Sequence, residues 1–186
     1  MSEALRAMVE ADVPALDALL RRAYGVTSSY DARLRAGFAN PRARTLVVDD
    51  GERPLAMGTL HDYDRIGYVA LMGVEPAAQR RGLGRTVLDA LLALSRGYGH
   101  PVVSLEATEA GRALYERAGF VKQAETAGFA GPCATAMPDA HHVRRATPRD
   151  VELLCAYDAV AFGGPSRRRA SHPRTVRYST TARSRS

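Results

Sequence analysis

Two long segments of the chain place apolar residues three and four positions apart, which is the spacing of an amphipathic helix. They are residues 12–24, with Val13, Leu16, Leu19 and Leu20, and residues 82–97, with Val87, Leu88, Leu91, Leu92 and Leu94. Two shorter segments, residues 30–38 and 110–118, are predicted to be helical as well. The two long helices each have an apolar face that the rest of the protein must cover.

Short apolar and β-branched runs lie around these helices and predict strands. They cover residues 4–8, 45–49, 54–63, 68–74, 102–107 and 120–123. The run at 68–74 is mostly apolar, which is typical of a central strand that is buried on both faces. Strands and helices of this length and order predict an α+β or mixed α/β fold, in which helices pack on a sheet.

A gapless shift of 138 positions aligns the beginning of the chain with a later segment. Leu5-Arg6 corresponds to Val143-Arg144, Asp12-Val13 to Asp150-Val151, Leu16 to Leu154, and Ala23-Tyr24-Gly25 to Ala161-Phe162-Gly163. A chance similarity of two amphipathic helices is the alternative, but the strand, the helix start and the closing aromatic-Gly pair all coincide. We therefore predict a second, truncated domain that begins near His141 and occupies residues 138–162.

Length and charge divide the chain further. Its 186 residues, 46% apolar and 25% charged, suit one globular domain plus a fragment and exclude a fibrous or wholly disordered protein. The net charge is +6, but residues 163–186 contain seven arginines and no acid, so residues 1–162 carry a net charge of −1. We expect a flexible Arg/Ser-rich tail there, either native or frameshifted. Because no groove-reading element accompanies it, we predict no nucleic-acid partner.

Other compositional signals concern metals, membranes and location. The two cysteines, Cys133 and Cys155, are too few for a zinc site or a disulfide framework, which predicts no metal and reduced thiols in a cytoplasmic protein. No apolar run approaches the roughly 20 residues of a membrane-spanning helix. The N-terminal residues also lack the apolar core of a signal peptide. We therefore expect no membrane partner.

A Gly-x-Gly sequence, Gly82-Leu83-Gly84, joins the predicted central strand to the second long helix. Unpaired amides at a helix N-terminus, together with the positive end of the helix dipole, attract anions, and glycines let a bulky anion approach the backbone. The loop is therefore a candidate pyrophosphate site, with a simple tight turn as the alternative. It lacks the third glycine of a dinucleotide fingerprint and the Gly-Lys-Ser/Thr of a P-loop.

Two strings of residues identify a family resemblance. Residues 74–84, Val-Glu-Pro-Ala-Ala-Gln-Arg-Arg-Gly-Leu-Gly, resemble motif A of the GNAT acyl-CoA N-acyltransferases, and residues 105–120 resemble motif B of that family. The resemblance implies a GNAT domain over residues 1–137. It also implies a twisted, mostly antiparallel mixed sheet with a splayed central strand and helices on both faces.

The resemblance assigns an acetyl-CoA site to ten residues. They are Met72, Gly73, Val74, Gln79, Arg80, Arg81, Gly82, Leu83, Gly84 and Arg85. In the family, the central strand pairs with the pantetheine arm, so the N–H of Met72 or of Val74 is expected to polarise the thioester carbonyl. Either Arg80 or Arg81 is expected to add positive charge beside the pyrophosphate.

Tyr115 matches the tyrosine that, in many members of the family, protonates the departing thiolate of CoA. The alternative is that Tyr115 only packs against the cofactor or the core. The predicted central strand contains no carboxylate that could accept the proton of an amine. The nearest acids in sequence are Asp62, Asp64, Glu75 and Glu106. Each of them can equally be a solvated turn residue or a structural partner of a basic residue, so no base is assigned.

The resemblance implies an acetyl-CoA-dependent N-acetyltransferase that transfers acetyl directly to a primary amine of a small molecule or peptide. The alternative is a non-catalytic acyl-CoA-binding or dimerisation module left from a tandem protein. Four aromatic residues, Tyr24, Tyr30, Phe38 and Tyr63, are candidates to line the acceptor site. The apolar face in residues 141–162 predicts a homodimer formed through that segment.

Overall fold

The computed structural model of the chain describes residues 3–128, 144–161 and 175–183. Within them, the strands are β1 (Ala4–Ala7), β2 (Ala43–Asp49), β3 (Pro54–Tyr63), β4 (Ile66–Val74), β5 (Val102–Ala107), β6 (Val121–Gly128) and β7 (Thr175–Arg183). They form one seven-stranded sheet in the order β1-β2-β3-β4-β5-β7-β6. The helices are α1 (Val13–Tyr24), α2 (Asp31–Ala39), α3 (Leu83–Gly97), α4 (Glu109–Arg117) and α5 (Val151–Ala161).

Helices cover both faces of the sheet, as predicted. Successive side chains of a strand point to opposite faces, and Val47 of β2 packs in the core under α1 and α2 while Val48 packs in the core under α3 and α4. The predicted apolar stripe of α1 is completely buried. Burying each such leucine stabilises the fold by about 1.5–3 kcal/mol. Gly25 ends α1 in the left-handed region, with φ of 63°.

The sheet is antiparallel from β1 to β4 and parallel from β4 to β6. β4 pairs with β5 only over its first four residues, Ile66–Val69. From Ala70 onwards no residue of β4 has a partner in β5, which shows that the two strands diverge there. The mixed sheet and its splayed central strand are therefore confirmed, and the divergence opens a gap in the middle of the molecule.

Nine residues of the segment 163–186, for which we expected a flexible tail, differ from that prediction, and the others lie outside the described residues. Residues 175–183 form β7, which lies between β5 and β6 and pairs parallel with both. The segment Thr-Val-Arg-Tyr-Ser-Thr-Thr-Ala-Arg is rich in β-branched residues, which favour strands. It also supplies hydrogen-bonding partners to two strands whose facing edges would otherwise be unpaired.

The segment with the shifted sequence repeats the local structure of the N-terminus. Arg6 holds Asp12 through two hydrogen bonds of 2.7 and 2.9 Å, and Arg144 holds Asp150 through two of 2.7 and 2.6 Å. In both places a short 3-10 turn precedes the helix, α1 in one and α5 in the other. Unlike α1, α5 leaves its apolar side chains exposed, with Leu153 at 72% and Tyr157 at 75%. The domain boundaries predicted at 137 and 162 stay predictions.

Candidate active site

A β-bulge in β4 lies beside the gap, where Gly58 of β3 faces both Leu71 and Met72. Leu71 adopts φ of 49°, in the left-handed region that disfavours a residue with a Cβ by about 1–2 kcal/mol. A Cβ at position 58 would clash with the Met72 sulfur and with Val87 of α3, so any residue larger than glycine forces these side chains to shift. The bulge turns the backbone of β4 relative to its neighbours just where β5 departs.

Backbone groups of β4 are available to the gap beyond this bulge. The N–H of Glu75 donates to the carbonyl of Leu55 in β3, at 2.8 Å. Since N–H groups alternate in direction along a strand, the N–H of Val74 points away from β3 and into the gap. Val74 is one of the two residues expected to polarise a thioester carbonyl.

The Gly-x-Gly loop approaches the same gap from the end of β4. Gly82, with φ of 86°, precedes the first residue of α3, so the amides of the first helical turn have no carbonyl partner within the helix. Gly84 is packed closely against β4, because a Cβ there would lie 3.3 Å from the Val74 side chain. The Gln79 side chain donates to the Val74 carbonyl at 3.4 Å and ties the loop to the strand.

Nine of the ten residues assigned to acetyl-CoA line one groove of about 590 Å³. They are Met72, Gly73, Val74, Gln79, Arg80, Gly82, Leu83, Gly84 and Arg85, and Tyr115 lines it too. Arg81 is absent from this lining because its side chain forms an ion pair with Glu3. Of the two candidate arginines, only Arg80 therefore faces the groove.

Tyr115 lies on α4, on the opposite side of the gap from β4, and only 6% of its surface is exposed. Its ring packs edge-on against Phe120, with 5.9 Å between centroids, and burial raises the pKa of its hydroxyl to about 12. Gly111, one turn earlier, leaves room for the ring, because a Cβ there would lie 3.0 Å from it. The phenol is therefore held rigidly and remains protonated at neutral pH.

A second cavity, of about 980 Å³, lies on the other side of the gap, between α2 and the sheet. Three of the four aromatic residues proposed for an acceptor site line it: Tyr24, Tyr30 and Tyr63. Phe38 is not among its lining residues, and Tyr68 of β4, which sequence reasoning did not single out, takes part instead. The cavity and the groove share Tyr24 and residues 69–71, so they meet at the gap.

Only one of the four acids considered as a base lies at this meeting point. Glu75 pairs with Arg22 at 2.8 Å, Asp62 with His100 at 2.9 Å, and Asp64 with Arg42. Glu106, exposed at the end of β5, lines both the groove and the cavity. It follows Leu105, the last residue of β5 that pairs with β4. The sequence alone could not separate Glu106 from the other acids, because its position depends on where the two strands diverge.

Comparison with known proteins shows the family of the chain. Residues 13–120 match the acetyltransferase (GNAT) family. Over 115 residues the chain is 36% identical to a protein of Beutenbergia cavernae named mycothiol acetyltransferase, a match that covers 58% of this chain and 39% of the relative. The chain thus spans about two fifths of the length of that curated relative.

Solved structures share the fold. The ribosomal-protein-S18-alanine N-acetyltransferase of Escherichia coli superposes with a TM-score of 0.60 at 22% identity, covering 66% of this chain and 79% of that one. A predicted acetyltransferase of Clostridium acetobutylicum, solved with acetyl-CoA, gives 0.56 at 21% identity, covering 64% and 90%.

The chain belongs to the GNAT acetyltransferase family, since the matched region includes more than half of its residues. Members of this family use acetyl-CoA. Among the described residues, no helix has the length and apolar character needed to cross a bilayer. The same residues contain no group of three or more His, Cys, Asp or Glu side chains placed to hold a metal ion.

Proposed function

We propose that the protein is an acetyl-CoA-dependent N-acetyltransferase that transfers acetyl directly to a primary amine of a small molecule or peptide. One observation carries the proposal: a groove lined by helix-N-terminal amides and a separate aromatic cavity meet at the gap between β4 and β5. Such an arrangement brings two substrates together at one point, which is what direct transfer requires.

The groove has the chemistry to hold acetyl-CoA. Free amides of the first turn of α3 and the charge of Arg80 suit a pyrophosphate. The unpaired edge of β4 beyond Val69 suits the amide groups of a pantetheine arm, because extended chains pair with open strand edges. The N–H of Val74 or of Met72 would then stabilise the negative charge that develops on the thioester oxygen.

Two side chains at the gap suit the proton transfers of this reaction. Glu106 would accept a proton from the attacking amine, whose nitrogen forms a bond to the thioester carbon. As the carbon–sulfur bond breaks, Tyr115 would donate its proton to the departing thiolate. With a pKa of about 12, the Tyr115 phenol carries this proton throughout the physiological range.

The test measures thiol release from acetyl-CoA with a panel of amines. We expect Tyr115→Phe and Glu106→Gln each to lower kcat about 100-fold or more, the usual range for general acid–base groups. The matched control, Tyr98→Phe, removes a hydroxyl from an exposed residue at the end of α3 and should leave kcat unchanged. If both variants turn over like the wild type, the assigned roles are wrong.

The alternative function, a non-catalytic acyl-CoA-binding module, gives a different result in the same assay. Such a module binds acetyl-CoA, as calorimetry would show, but releases no thiol with any amine. The exposed apolar side chains of α5 are the observation that favours this alternative, because they mark an unfilled interface.

We also propose that the protein forms a homodimer through residues 141–162. The support is the exposure of α5, whose large apolar side chains from Val151 to Val160 are 51% to 85% exposed. Light scattering on the full chain should show a dimer, and Leu154→Asn should shift it towards the monomer. A monomeric wild type contradicts the proposal. A cytoplasmic location stays a prediction from the cysteine count.

A further inference from the structure

The acceptor cavity contains one basic side chain, Arg33, that has no partner among the described residues. It lies on α2, and neighbours on the same helix face, Leu34 and Gly37, line the cavity with it. By contrast, Arg35 on the same helix pairs with Asp31 at 3.0 Å and with Glu10 at 3.3 Å. An arginine that faces a cavity without an acid partner is available to bind an anion.

Contacts at the beginning of α2 hold the backbone that carries Arg33, whose side chain is exposed. The Asp17 carboxylate of α1 accepts hydrogen bonds from the Ser29 hydroxyl, at 3.0 Å, and from the Tyr30 backbone N–H, at 2.5 Å. The Tyr30 ring packs against Tyr24 of α1, with 5.7 Å between centroids. Arg33 follows one turn later, so α1 holds the segment that carries it.

Arg33, Tyr68 and Glu106 all line the acceptor cavity. Burial raises the pKa of Tyr68, the negative charge of Glu106 raises it further, and the positive charge of Arg33 opposes the rise. Both charges therefore act on the Tyr68 phenol. Arg33 and Glu106 nevertheless form no ion pair with each other. The lining of the cavity thus carries an anion and a cation that do not neutralise each other in an ion pair.

We propose that the acceptor is an amine that also carries a carboxylate near its amino group, as an α-amino acid does, together with an apolar or aromatic ring. This inference rests on the proposed function. Arg33 binds the carboxylate, and the amino group then lies on the side of Glu106. The rings of Tyr24, Tyr30, Tyr63 and Tyr68 pack against the remainder of the molecule.

The charges of the lining favour a carboxylate over a phosphate. Among the described residues, two acids, Glu106 and Glu109, and one arginine, Arg33, line the cavity. His61 adds no positive charge near neutral pH, because burial lowers its pKa below the usual value. A dianion would therefore meet net repulsion, whereas a zwitterion matches the separated charges.

The experiment compares L-phenylalanine with L-phenylalaninamide, which differ only in the carboxylate, as acceptors. The two amines also differ in basicity. The quantity to follow is therefore the kcat/KM for L-phenylalanine divided by the kcat/KM for L-phenylalaninamide, compared between the wild type and each variant. We expect Arg33→Gln to lower this ratio about tenfold or more, the effect of losing one charge-assisted hydrogen bond. Arg33→Lys should retain part of the preference.

Arg35→Gln is the matched control, because it makes the same change two residues away on a side chain outside the cavity lining. It should leave the ratio unchanged. The inference is overturned if Arg33→Gln also leaves the ratio unchanged, or if the two glutamine variants lower it equally. Either result would leave the proposed acetyl transfer intact, since both acceptors would still react.

A binding measurement covers the case in which neither amine is acetylated. N-acetyl-L-phenylalanine and its amide are titrated into the full chain saturated with CoA, and ligand NMR signals report binding. The anion site is supported if, relative to the wild type, Arg33→Gln binds the acid more weakly and Arg35→Gln binds it equally well. This support holds even though the proposed function has failed. Equal binding of acid and amide overturns the inference as well.

Discussion

The hydroxyl of Tyr24 donates a hydrogen bond of 2.8 Å to the carbonyl oxygen of Met72. This bond joins the last residue of α1 to the bulge of β4, at the point where the groove and the acceptor cavity meet. Burial, together with the nearby Tyr115 phenol, raises the pKa of Tyr24, so the hydroxyl remains a donor at any physiological pH. Tyr24 is therefore a positioning residue for the backbone of β4.

The first prediction concerns this hydrogen bond. Tyr24→Phe leaves the ring in place but removes the donor, so the free energy of unfolding should fall by about 1 kcal/mol. In the proposed reaction kcat should fall about three- to tenfold, because β4 then holds its N–H groups less rigidly. KM for acetyl-CoA should change little. Denaturant unfolding and steady-state kinetics measure the two effects.

Tyr30→Phe is the control for Tyr24→Phe. Tyr30 lines the same cavity and contacts the Tyr24 ring, yet its hydroxyl bonds none of the described residues. Equal effects of the two substitutions on kcat would show that the Met72 carbonyl contact has no positioning role.

The second prediction concerns Gly58, the residue opposite the bulge. Gly58→Ala introduces a methyl group where the Met72 side chain and α3 already fill the space. Overpacking of this kind typically destabilises a protein by about 1–3 kcal/mol. We also expect weaker binding of acetyl-CoA, since relief of the clash displaces Met72. Thermal unfolding and calorimetric titration provide the measurements.

The same change at Gly97, near the end of α3, provides the matched control. A Cβ there meets no atom within 4 Å, and the residue has an ordinary helical conformation. Gly97→Ala should therefore stabilise the protein slightly, because alanine favours helices. The role assigned to Gly58 would be refuted by a Gly58→Ala protein as stable as the wild type.

The parts of the fold that local sequence patterns specify could be predicted. The α1 stripe is buried as expected, and the Gly-x-Gly loop lies at the beginning of α3. The features that depend on distant residues could not. Tyr24 and Met72 are 48 positions apart, and no spacing rule joins them. The placement of β7 between β5 and β6 likewise depends on pairing partners far along the chain.

The two adjacent arginines of the loop show a finer limit of sequence reasoning. Arg80 adopts φ of 62°, an unusual conformation for a residue other than glycine, whereas no positive φ occurs at Arg81. With this backbone, Arg80 lines the groove and the Arg81 side chain pairs with Glu3. A motif identifies both positions but not their directions, because the direction depends on the backbone angle.

The third prediction uses that difference. Arg80→Ala should raise KM for acetyl-CoA about tenfold, because it removes a charged donor facing the groove. Arg81→Ala deletes the same charge from the adjacent position and should leave KM within about twofold, since its side chain pairs with Glu3 at an exposed site. The assignment is wrong if Arg81→Ala has the larger effect. Kinetics at varied acetyl-CoA concentration measure both values.

The fourth prediction concerns acid stability and the pair formed by Arg6 and Asp12. The hydrogen bond from Arg6 holds the pKa of Asp12 below its ordinary value, against the opposing effect of partial burial. The folded state therefore releases this proton more readily than the unfolded chain, whose aspartates titrate near about 3.9. The resulting stabilisation is present above about pH 4 and is lost as the pH falls through the lower folded pKa.

Asp12→Asn should lower the free energy of unfolding at pH 6 by about 1 kcal/mol, a modest value because Arg6 is 38% exposed. The difference from the wild type should shrink as the pH falls towards 2, because protonated Asp12 resembles asparagine. Urea unfolding at a series of pH values measures this difference. The control is Glu10→Gln, which removes a neighbouring acid that pairs, among the described residues, with Arg35 across the exposed surface. If the difference in free energy of unfolding between the wild type and Asp12→Asn stays constant down to pH 2, Arg6 does not stabilise the Asp12 carboxylate.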